Sequence, residues 1–238
     1  MIIESVQLFS ADLYVKYYIP CGCYRTLMFD DLVSNVKGFI MTPSEMFKKT
    51  SGKSLGAAYQ YYVALLVIFT VLFGIVVVSM GLATFTSMVD KMAAIPVVGG
   101  VASGAAANFS GFVIALGVFF VYLLFLFYLL GVFVEGLIIH AFVLLMGGEK
   151  GATQTIKTTM YASTPFLLLG WIPFVSIIAY IWSFVLLIIG LKENHGMELG
   201  NAVLVVIIPI VLGMILIGLG SAVIVAFMSA AAALIPTF

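Results

Sequence analysis

Charge is what this chain has least of. Asp, Glu, Lys and Arg make up 8% of its 238 residues, against about 25% in ordinary globular domains. A soluble fold with a solvated surface is excluded on that ground. Cysteine is nearly absent too. Cys21 and Cys23 are the two present, with one residue between them. That spacing is too close for an easy disulfide and supplies only half of a four-ligand metal site, so both read as incidental thiols. There are two histidines, and no zinc-protease His-Glu-x-x-His pattern or usual phosphate-binding glycine loop accompanies them. Residues 1–27 are mixed and partly charged, without the pattern of a cleaved signal peptide.

What fills the chain instead is apolar. Hydrophobic residues make up 64%, and from about Tyr61 to Phe238 one apolar stretch follows another with short polar punctuation. A bilayer can accept that surface, and only helices or closed barrels satisfy the backbone inside it. The chain therefore reads as an all-α integral membrane protein.

Five transmembrane helices are predicted, near 59–82, 110–146, 154–171, 174–191 and 201–228. Tyr59, Tyr61 and Tyr62 mark the entry of the first, at the depth that aromatic rings favour. A loop follows with Asp90, Lys91 and Pro96, and weak order is expected through the small residues 99–107. The second helix is unusually long. Ser110 to Met146 is 37 residues, about 55 Å of helix against a core of about 30 Å. It must project or bend near Gly131 and Gly136, and Gly147-Gly148 stops it. Pro165 lies inside the third segment and Pro209 in the first half of the last. A four-span alternative fuses 158–191 into one kinked helix.

Six basic residues precede the first long apolar run: Lys16, Arg25, Lys37, Lys48, Lys49 and Lys53. With five spans, only Lys91 falls outside, so the N-terminus is expected in the cytoplasm and the C-terminus outside the cell membrane. Two regions are expected: an N-terminal cytoplasmic extension, 1–37, whose first 27 residues add nothing to the membrane fold, and a membrane domain, 38–238. A short amphipathic lead-in opens the second. Thr42-Pro43-Ser44-Glu45 resembles a capped helix start. Phe39, Ile40, Met46 and Phe47 beside Lys48, Lys49 and Lys53 suit either a helix lying on an anionic membrane face or a plain positive flank.

Few polar residues fall inside the spans. Glu135 is the one acid, eleven residues before Met146 and hence about 17 Å from that end. An ionised carboxylate at mid-bilayer costs about 2.5–3.5 kcal/mol on insertion scales. Glu135 therefore faces protein or water, as packing glue bonded to a neighbouring helix or as an ion or proton relay. His140 lies five residues on, about 140° around the axis, so the two make no catalytic pair. His140 reads as a helix–helix hydrogen-bonding residue, and His195 as a loop residue. No catalytic, cofactor-binding or metal-ligating set is expected. Gly218, Ala222, Ala226 and Ala230 recur every four residues and form a stripe that another helix can approach closely, within the chain or between chains.

One series of motifs is recognisable by its order. Gly147-Gly148 follows a long span. Then come Tyr161-Ala162-Ser163-Thr164-Pro165, Trp182, Gly190-Leu191-Lys192-Glu193-Asn194-His195-Gly196 and Asn201-Ala202. This resembles the Yip-one domain family of Ypt/Rab-interacting membrane proteins, its prokaryotic branch more closely, over about 38–230. The resemblance implies five spans, a cytoplasmic N-terminus and no catalytic activity. It also implies a role in vesicle traffic or membrane organisation for eukaryotic members, which bind prenylated small GTPases and one another. Here Asp12-Leu13-Tyr14 is followed by Val15, so the family's Asp-Leu-Tyr-Gly-Pro motif is incomplete and argues against GTPase binding. The expected function is that of a non-enzymatic membrane scaffold. Its partners would be membrane lipids, other membrane proteins or a second copy of itself, with no cofactor and no nucleic acid. The rival reading is a small ion- or proton-coupled transporter or channel that uses Glu135 in a polar cavity.

Overall fold

Two helices in this protein are far longer than a bilayer is thick, and they pack against each other. The computed structural model describes residues 21–95 and 99–233. Among these are eight helices: α1 (Cys21–Met41), α2 (Pro43–Thr50), α3 (Leu55–Ala93), α4 (Gly99–Leu145), α5 (Ala152–Ala162), α6 (Thr164–Leu169), α7 (Val175–His195) and α8 (Leu199–Ala233). No strand occurs among the described residues. Most of the extension preceding the membrane domain, with Asp12-Leu13-Tyr14, lies outside them, as do Pro96 and the Cys21 and Cys23 side chains.

Helix α3 has 39 residues and α4 has 47, so they measure about 58 Å and 70 Å. Glycines let them close on each other. A Cβ on Gly74 would lie 3.3 Å from Val121 Cγ1, and one on Gly117 would lie 3.1 Å from Val78 Cγ2. Farther along, the Phe85 and Phe109 rings stack at 5.9 Å. The partners step along the helices in opposite senses, as an antiparallel hairpin requires. Helix continues through Gly131 and Gly136, and it already includes 99–107, where weak order was expected. Four alanines, the strongest helix formers, fall in that stretch. Gly136 serves a close approach instead, because a Cβ there would lie 3.0 Å from the Ile156 Cα on α5.

Gly147-Gly148 ends α4 as expected. Gly147 has φ 80°, its N–H donates to the Leu144 carbonyl, and the Gly148 N–H donates to Val143. These are the paired bonds of a Schellman motif.

Among the described residues, four helices are long and apolar enough to cross a membrane: Leu55–Met92, Phe109–Leu145, Val175–His195 and Leu199–Ser229. The expected span at 154–171 is instead two short helices, α5 of 11 residues and α6 of 6. They join at Ser163. The proline ring at 165 has no N–H for the Tyr161 carbonyl, and the Thr164 hydroxyl donates to that carbonyl at 2.6 Å. The single kinked helix over 158–191 that the four-span alternative calls for is absent as well. A turn with Phe174 at φ 67° separates α6 from α7, and the two arms lie side by side. Phe166 N–H donates to Ser183 Oγ, Asn194 Nδ2 to Thr158 Oγ1, and Thr155 Oγ1 meets His195 Nε2. Those partners also run in opposite senses, so α5–α6 is antiparallel to α7.

The core sits where α1–α2 meet α3, α5 and α7. Phe39 and Phe47 are fully buried, and Met46 nearly so. The Phe39 ring stacks on Tyr161 at 4.8 Å and meets Phe47 edge-on at 5.1 Å. The lead-in therefore does not lay these side chains on a membrane face; they plug the protein. Its capping differs too. Thr42 precedes α2 and Pro43 opens it, but the Thr42 hydroxyl makes no cap bond and reaches back to the Gly38 carbonyl at 3.4 Å. Tyr61 and Tyr62 are buried within the protein. Tyr61 pairs with Thr164 Oγ1 at 3.0 Å, and Tyr62 donates to the Tyr128 carbonyl at 2.9 Å.

Candidate functional site

Polar residues gather in two places. The first ties the ends of four helices together. His140 on α4 and His195 on α7 share one hydroxyl, with Thr155 Oγ1 at 2.9 Å from His140 Nδ1 and 3.0 Å from His195 Nε2. A hydroxyl donates once and accepts from a second partner, so one Thr bridges both rings. His195 is thus a buried residue in the last turn of α7, not a loop residue. His140 bonds a neighbouring helix, as expected. Beside them Asn194 donates to Thr158 Oγ1 at 2.8 Å, and Thr158 donates to the Gln154 carbonyl at 2.8 Å. Asn194 Oδ1 and His195 Nδ1 carry no hydrogen bond among the described residues.

Lys157 extends this clasp to α2. The residue is buried, and its ammonium donates to the Ser51 carbonyl at 2.8 Å and the Lys53 carbonyl at 2.9 Å. Those groups follow the C-terminus of α2, where a cation also meets the negative end of the helix dipole. Lys48 adds an exposed ion pair to Glu193 at 3.2 Å. Lys49 and Lys53 are exposed. Sequence reading gave Lys157, Thr155, Thr158 and Asn194 no such role, because their partners are remote along the chain.

The motif residues acquire physical roles around this clasp. A Cβ on Gly148 would collide with the Val143 side chain beside His195. A Cβ on Gly190 would lie 2.6 Å from Thr158 Cγ2 and 2.7 Å from the Phe47 ring. Gly196 caps α7 at φ 67°. Tyr161, Pro165 and Ala202 are buried, and Asn201 Nδ2 donates to the Met146 carbonyl at 3.4 Å.

The second place is a cavity of about 840 Å³ between α4 and helices α5 to α8. Its floor includes buried Val132, Leu167, Leu187 and Val206. Its lip includes Phe127, Leu130 and Val134, all largely exposed. Glu135 lines it and is exposed to it. Tyr62, Tyr128 and Tyr180 line the same cavity. The Glu135 carboxyl makes no hydrogen bond or ion pair among the described residues, so the expected bond to a neighbouring helix is not seen. Among the described residues no group of three or more His, Cys, Asp or Glu stands ready for a metal ion.

The small-residue stripe lies away from both places. Gly218 has open space where a Cβ would project, and Ala222 and Ala226 are exposed. Among the described residues the stripe makes no close intrachain contact there. The Ala230 side chain lies outside the described residues.

No curated protein and no solved structure matches this chain. A family model for the Yip1 domain matches residues 37–220, a stretch that takes in the clasp, the cavity and every motif residue placed above, and the chain belongs to the Yip1 domain family.

Proposed function

We propose that this protein is a non-enzymatic membrane scaffold that crosses the bilayer five times. The observation that carries this reading is the use made of its polar residues. His140, Thr155, Lys157, Thr158, Asn194 and His195 hold helices to one another. Outside that clasp the long helices present apolar faces, including Val223, Ile224 and Phe227 on α8. Such faces meet lipid or the helices of other membrane proteins.

The fifth crossing is α5–α6. Together they run from Ala152 to Leu169, about 27 Å of helix against a core of about 30 Å, and they run antiparallel to α7. An odd number of crossings puts the two termini on opposite sides, and the basic lead-in favours a cytoplasmic N-terminus. A reporter fused after Phe238 tests this arrangement; activity in the cytoplasm would reject it. Photo-crosslinking from Val223 in intact membranes tests the scaffold role. Discrete protein adducts, to itself or to others, are expected, and adducts to lipid alone would reject it.

A further inference from the structure

The cavity beside Glu135 has the composition of a ligand site rather than of a packing defect. Its volume of about 840 Å³ falls in the range of small-molecule pockets, about 300–1,000 Å³. Its walls are mostly hydrocarbon, and Glu135, Thr159, Ser163 and Ser183 add a few polar groups. We propose that it binds a lipophilic primary amine, an apolar body bearing one bare ammonium group that pairs with the Glu135 carboxylate.

Four observations converge on that chemistry. First, among the described residues Glu135 has no hydrogen-bond or ion-pair partner, and no Lys, Arg or His lines the cavity. A carboxylate in so apolar a place is stabilised by an opposite charge brought from outside. Second, the nearby hydroxyls offer acceptors. Thr159 and Ser163 donate their hydrogens to the Thr155 and Thr159 carbonyls at 3.1 and 2.9 Å, so their oxygens can still accept from a ligand that donates. An ammonium brings three donors. Third, Tyr62, Tyr128 and Tyr180 line the same cavity as Glu135, and phenol faces attract a cation. Fourth, the hydrocarbon lining runs along α4 from Leu123 to Ile139, about 24 Å, and its exposed lip gives an apolar tail entry from the lipid side.

Depth selects the source of the amine. Glu135 lies ten residues before the end of α4 at Leu145, about 15 Å along the helix axis, or half of a hydrocarbon core of about 30 Å. An aminophospholipid headgroup would carry its phosphate to that depth and set a second negative charge near Glu135. A free long-chain amine carries neither burden. This inference does not depend on the scaffold reading, because a scaffold and a transporter can each hold such a ligand.

The test uses the full chain in phosphatidylcholine nanodiscs and a twelve-carbon primary alkylamine with a diazirine on its chain. Saturable labelling is expected within 123–139 and 180–187, displaced by dodecylamine and not by dodecanol. Glu135→Gln keeps the shape and removes the charge, so labelling should fall at least tenfold while Tm is unchanged. Leu130→Trp narrows the exposed lip and should also lower labelling; it carries the test if the Gln variant fails to fold. The proposal is overturned by equal labelling with the matching alcohol, by undiminished labelling of both folded variants, or by labelling that never saturates. Stronger labelling by a diazirine lysophosphatidylethanolamine than by the amine would overturn it as well.

Discussion

Lys157→Met tests whether the clasp holds α2 in place. The substitution keeps an unbranched chain of similar length and removes the ammonium. It deletes two hydrogen bonds, to the Ser51 and Lys53 carbonyls at 2.8 and 2.9 Å. Bonds from a charged donor contribute about 1.5–3 kcal/mol each, so the gross loss is about 3–6 kcal/mol. Removing the charge also removes its burial penalty, several kcal/mol for a desolvated ion. Both acceptors lie near the surface, where water can replace the lysine. A net loss of about 2 kcal/mol is therefore expected. It should fall on the docking of α2, because both acceptors belong to the segment that follows it. Amide hydrogen exchange in 43–53 should rise roughly 30-fold, with α3 and α4 little changed. Unchanged exchange in 43–53 of a folded variant would refute the clasp. A uniform rise over all helices would show that Lys157 supports the whole bundle instead.

Three further substitutions probe other contacts. Gly190→Ala places a methyl group against Thr158 and the Phe47 ring and should cost about 1–3 kcal/mol; an unchanged Tm in detergent would mean that α7 and α2 have room to part. Thr155→Val removes the hydroxyl shared by His140 and His195 and should cost about 1–3 kcal/mol through two ring nitrogens left unpaired, read as a lower Tm that Thr155→Ser restores in part. Ala222→Leu adds bulk at an exposed position and should change stability by less than about 0.5 kcal/mol; a marked loss of monomer stability would contradict the open placement of the stripe.

The sequence disclosed its structure unevenly, and the pattern has physical causes. Features set by local chemistry were legible. Long apolar runs became helices, Gly147-Gly148 stopped α4, and Pro43 opened α2. Features set by remote partners were not. Phe39, Met46 and Phe47 beside lysines look the same whether they meet lipid or a protein core, and only the approach of Tyr61 and Tyr161 distinguishes the two. Lys157 reads as an ordinary flanking charge until carbonyls more than 100 residues away come within reach. The small-residue stripe on α8 has a period suited to helix contact, but period alone does not supply a neighbour. Glu135 stood out because an acid is rare inside an apolar run. Its lack of a hydrogen-bonding helix partner was visible only once the cavity walls were placed.

The sheltered position of α5 also bears on how the protein enters its membrane. Thr155, Lys157, Thr158 and Thr159 are all buried, on a helix of 11 residues that is too short to count among the membrane-crossing candidates. A lysine alone costs about 2.5–3.5 kcal/mol at the centre of an inserting helix. In the five-crossing arrangement, α5–α6 is therefore a poor substrate for one-at-a-time release into lipid. It should leave the insertion machinery together with α7, as a preformed hairpin whose Asn194 and His195 already meet Thr158 and Thr155. Biogenesis then has an order built into it: a ribosome that stalls before α7 emerges should leave α5 accessible to water.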